Sequence, residues 1–105
     1  MEYAFIRGVI TDLRFELAAL FEHGFLQNAR QEASLKKMAD NLNEYGFLEA
    51  SRLLTALCSE LAQCRAQTNR SSEAASVLLA KLWQYSSFCQ RRLELLEAGA
   101  ALKDS

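Results

Sequence analysis

Glu44-Tyr45-Gly46-Phe47-Leu48-Glu49-Ala50-Ser51-Arg52 decides the fold, because it stops one helix and starts another within a few residues. Behind it, Leu35, Met38, Ala39 and Leu42 recur at three- and four-residue steps. Ahead of it, Ala50, Leu53, Leu54, Leu57, Leu61 and Cys64 do the same, the mark of one helical face. Glycine takes the left-handed C′ position without steric cost, and the phenylalanine after it folds back onto the last turn. Glu22-His23-Gly24-Phe25-Leu26-Gln27-Asn28-Ala29-Arg30 repeats the arrangement one helix earlier. Two tight corners need the same chemistry. A solenoid would require at least three repeats of a longer unit, and these are absent.

Working outward, Ile6, Val9, Ile10, Leu13, Leu17, Leu20 and Phe21 form a first stripe, and Ala75, Leu78, Leu79, Leu82, Tyr85, Cys89, Leu93 and Leu96 a fourth. The front of the second segment, Gln27 to Ser34, is mostly polar, which leaves its packing open. Asn69 can close the third helix, and Ser71 or Ser72 can cap the fourth with Glu73 in its first turn. Gly99 is expected to end the fourth. No stretch alternates with period two for long enough to make a strand. The chain has no proline and only four glycines, against the turn-rich needs of sandwiches and barrels. Short connections force neighbouring helices antiparallel. The expected fold is all-α: one antiparallel four-helix up-down-up-down bundle over residues 1–98, with 99–105 as a frayed tail.

Several functions are disfavoured by residue type. Charge is balanced, 12 basic against 13 acidic residues, and Lys36-Lys37 and Arg91-Arg92 are the only basic doublets, so no nucleic-acid partner is expected. Gly8 to Phe21 is interrupted by Asp12, Arg14 and Glu16 and falls short of the roughly 20 apolar residues of a membrane span. The N-terminal residues show no secretory pattern. The three cysteines, Cys58, Cys64 and Cys89, suit a reducing compartment, so a cytoplasmic protein is expected. Cys64 and Cys89 fall on core stripes and Cys58 to the side of its own. In an antiparallel hairpin Cys64 and Cys89 stand about 20 Å apart along the axis, too far for a disulfide. The single histidine, His23, reads as a last-turn residue favoured by the helix dipole. One imidazole cannot build a di-iron site, and no cofactor or metal is expected. No phosphate loop, nucleophile elbow or His-Glu-x-x-His occurs, and no catalytic residue is assigned.

One pattern exceeds what a monomer needs. Gly8, Thr11, Phe15 and Ala18/Ala19 form a second stripe opposite the core face of the first helix. The fourth carries Val77, Phe88 and Leu95 off its core stripe, with Trp83 on the flank. Small residues let a helix approach and aromatics anchor it, so Gly8, Phe15, Val77, Trp83, Phe88 and Leu95 are the candidate partner interface. The same residues also fit a wide core, or ordinary scattered surface apolars.

Ala39-Asp40-Asn41-Leu42-Asn43-Glu44-Tyr45-Gly46-Phe47-Leu48-Glu49-Ala50-Ser51-Arg52-Leu53-Leu54, followed by Leu57 and Leu61, resembles a helical region that accompanies SWIM zinc fingers in some bacterial proteins. A later helix there is similar to Leu78-Leu79-Ala80-Lys81-Leu82-Trp83-Gln84-Tyr85. The finger itself, Cys-x-Cys then Cys-x-His, is absent, so its chemistry does not carry over. The resemblance implies a bacterial accessory or scaffold domain. The expected function is a non-enzymatic interaction or assembly module that forms a homodimer or binds another helical protein. The alternative is a regulatory bundle holding a small apolar ligand in its interior near Tyr85 and Cys89.

Overall fold

A computed structural model describes residues 3–23, 29–66 and 73–104. The described residues form four α-helices and no strand: α1 (Tyr3–His23), α2 (Ala29–Glu44), α3 (Leu48–Ala66) and α4 (Glu73–Asp104). The Gly24-Phe25 corner, and Asn69, Ser71 and Ser72 with their capping roles, lie outside the described residues, as does the side chain of His23.

The stripes do bury. Ile6, Ile10, Leu13 and Leu17 of α1, Leu35 and Leu42 of α2, Leu54, Leu57 and Leu61 of α3, and Leu79 and Leu82 of α4 belong to one buried cluster. Each such side chain contributes roughly 1.5–3 kcal/mol of transfer free energy before chain entropy is subtracted. Helix α2 packs on α1 and α3, and α4 packs on α3 and α1. The polar front of α2 is helical too. Its Glu32 is buried in the first turn, where the helix dipole favours a carboxylate.

The corner that decides the fold has the expected cap. Gly46 has φ +87°, a conformation that costs other residues about 1–2 kcal/mol. Its N–H donates to the carbonyl of Asn43 at 3.1 Å, and the Phe47 N–H to that of Leu42 at 2.9 Å, the two bonds of a Schellman motif. The Phe47 ring is buried, and its carbonyl accepts the first bond of α3 from Ser51 at 3.0 Å. The Ser51 hydroxyl reaches back to the Ala39 carbonyl at 2.8 Å, tying α3 to α2.

Three expectations need correction. Helix α4 does not stop at Gly99 but continues to Asp104, so 99–104 is helical rather than a frayed tail. Gly99 lacks a positive φ. The helix formers Ala98, Ala100, Ala101, Leu102 and Lys103 around it outweigh its cost of about 1 kcal/mol. Cys58, placed beside its stripe, is buried, whereas Cys64, placed on it, is only half-buried. Phe21, counted with the α1 core, is exposed and meets Trp83 edge-on, centroids 5.9 Å apart.

Candidate functional site

At roughly 1.5 Å per residue α4 is about 48 Å long, and it outruns the other three helices. Its inner residues meet the common cluster. Its outer residues are apolar as well: Phe88 is 66% exposed, Leu95 68% and Leu102 75%. Seven-residue spacing returns each to nearly the same angle, about 20° short of two full turns. Val77, eleven positions before Phe88, falls on the same row and is also exposed. Leu102 escaped the sequence reading because α4 was expected to end before it.

Beside this row lies a groove of about 290 Å³. Phe47 and Cys89, both buried, form its floor. Tyr85, Phe88 and Leu95 line its sides, and Arg91 and Arg92 complete the lining. The rings of Tyr85 and Phe88 stand 6.1 Å apart, and the Arg92 guanidinium lies over the Phe47 ring at 5.4 Å. A second hollow, of about 300 Å³, adjoins the first through Tyr85 and Phe88. Leu53, Lys81, Gln84 and the Glu49–Arg52 ion pair line it. The hydrogen bond to Arg52 and its charge hold the Glu49 carboxyl below its usual pKa. Sequence reading noted Arg91-Arg92 only as a doublet. It could not know that the cap on α2 delivers Phe47 beneath them.

The six candidate interface residues do not form one patch. Phe88 and Leu95 share the groove, and Val77 continues their row. Gly8 and Phe15 are exposed on α1, Phe15 at 76%, on the face opposite its core residues. Trp83 is not an open anchor. Arg14 stacks on it, guanidinium carbon 4.6 Å from the ring centroid, and Phe21 covers its edge. The same Arg14 donates to Gln90, and Arg7 pairs with Glu97, so this flank of α4 is the seam with α1.

Two of the three thiols, Cys58 and Cys89, are poorly placed for nucleophilic chemistry. Burial pushes Cys89 up to about 11 against the opposing charge of Arg92, and Cys58 up to about 11 against that of Lys36. Both are protonated at neutral pH, whereas the thiolate is the reactive form. Among the described residues no group of three or more His, Cys, Asp or Glu could hold a metal ion, and no helix is long and apolar enough to cross a membrane. Compared with known proteins, the chain matches no family model, no curated protein and no solved structure.

Proposed function

We propose that this chain is a non-enzymatic, cytoplasmic helical interaction module, an antiparallel up-down-up-down bundle that self-associates through the outer faces of α1 and α4. The topology is supported by the pairs Arg7–Glu97, Arg14–Gln90 and Phe21–Trp83, which ascend α1 as they descend α4. The function rests on one observation: a helix whose inner face is already satisfied presents a second apolar row, Val77, Phe88, Leu95 and Leu102, to solvent. Burying such a row against another helix releases water from it, and exposed apolar rows of this kind mark interfaces.

Light scattering on the purified chain tests it. The expected mass exceeds the monomer's 11.8 kDa, and Leu95→Lys or Phe15→Lys restores the monomer. A wild-type monomer at high micromolar concentration would remove self-association.

The groove favours a second reading, a small apolar ligand at Tyr85 and Cys89. Its volume, about 290 Å³, lies just under the roughly 300–1,000 Å³ typical of ligand pockets. It opens on the surface of α4, not in the bundle interior where the sequence placed it. Under this reading, anilinonaphthalene sulfonate fluoresces with the wild type and not with Phe88→Ala; equal fluorescence from both discards it.

A further inference from the structure

We infer that the double groove along α4 receives the apolar face of an acidic amphipathic helix from a partner protein. The inference rests on the interaction reading above but not on self-association. The two hollows share Tyr85 and Phe88 and run from Lys81 to Leu95, about 21 Å or four helical turns. That is the length over which a helix seats anchors at three-, four- and seven-residue spacing in an apolar trough.

The electrostatics choose the partner. The chain carries a formal net charge of −1, yet Lys81, Arg52, Arg91 and Arg92 line this groove against one carboxylate, Glu49, which Arg52 already occupies. Lys81, Arg91 and Arg92 have no ion pair among the described residues. A basic helix seated here would set its cations against Arg91 and Arg92 in one dry seam, where like charges repel. An incoming helix with glutamates beside its apolar face meets those cations instead, gaining orientation and association rate.

The test uses the full chain and a fluorescein-labelled synthetic peptide of about five turns, with leucines on one face and flanking glutamates. A twin peptide carries lysine at every glutamate position. The acidic peptide is expected to bind saturably, more weakly as salt rises, and the lysine twin not to bind. Lys81→Glu/Arg91→Glu and, separately, Phe88→Ser weaken binding by about tenfold or more, while Lys37→Glu, on α2 and outside the groove lining, leaves it unchanged. All these side chains are exposed, and unaltered helical circular dichroism confirms that the variants fold. Equal binding of both peptides, binding of neither, or indifference to Phe88→Ser overturns the inference. If neither binds and light scattering still finds a dimer, the inference falls and the interaction reading stands. A monomer that binds the acidic peptide keeps the inference and removes self-association.

Discussion

Helix α4 carries two apolar rows that differ in what covers them. Leu79, Leu82, Cys89 and Leu93 face the cluster shared with the other helices and are buried, while Val77, Phe88, Leu95 and Leu102 face outward. Residue type alone does not separate them, since leucine occurs in both. The difference lies in the surroundings: among the described residues α4 packs on α1 and α3, and both meet the side that carries the inner row. A helix with a polar back would show its core unambiguously. Helix α4 mixes Phe88 and Leu95 with Lys81, Gln84, Arg91 and Arg92 on its outer side, so its core and its surface are hard to tell apart until the fold is known.

The sharpest way to break this contrast is to shorten one residue of each row. Leu82→Ala is expected to cost about 2–5 kcal/mol through lost contacts and a residual cavity. Leu95→Ala should stay within about 0.5 kcal/mol for the monomer. Urea denaturation of both variants at micromolar concentration measures it, and comparable losses would abolish the distinction.

The next effect belongs to the inner row alone. Cys89 has a folded-state pKa of about 11 against the ordinary 9.0, so the folded chain holds this proton more tightly than the unfolded one. The stabilisation is complete below about pH 9 and is lost as pH rises through about 11. Urea midpoints followed across that window should decline more steeply for the wild type than for Cys89→Ala. Parallel declines would mean that the thiol is not desolvated.

A smaller change, of opposite sign, is expected where α4 leaves its neighbours. A methyl group on Gly99 meets nothing within 4 Å, so Gly99→Ala should raise stability by roughly 0.5–1 kcal/mol. A thermal melt that falls instead would show that the last turns are not helical. Smallest is the edge of the seam with α1. Arg7 is largely exposed in its pair with Glu97, and Arg7→Ala should cost about 0.5 kcal/mol or less, screened further by salt.

Much of this was legible in the sequence, and what was lost follows a rule. The stripes of α1 and α3 and the Gly46-Phe47 cap were readable because each is a local pattern: periodicity for the stripes, a φ requirement for the cap. Phe21 and Trp83 were misjudged because they satisfy each other across the α1–α4 seam, and no local pattern reports a neighbour so distant in sequence. Gly99 misled because glycine at a helix end and glycine within a helix look the same without the φ angle. The groove was half visible: Tyr85, Phe88 and Leu95 stood out, but their floor, Phe47, comes from another helix.

The bond from the Ser51 hydroxyl to the Ala39 carbonyl sits a few residues from the Gly46 turn, on a pair of helices whose loop is too short to absorb slack. Sliding α2 by one turn along α3, about 5.4 Å, would break that bond and drag Phe47 out of its socket together. The hairpin therefore has a single alignment. The groove on α4 thus takes its floor, Phe47, from a hairpin that sets where along α4 that floor lies.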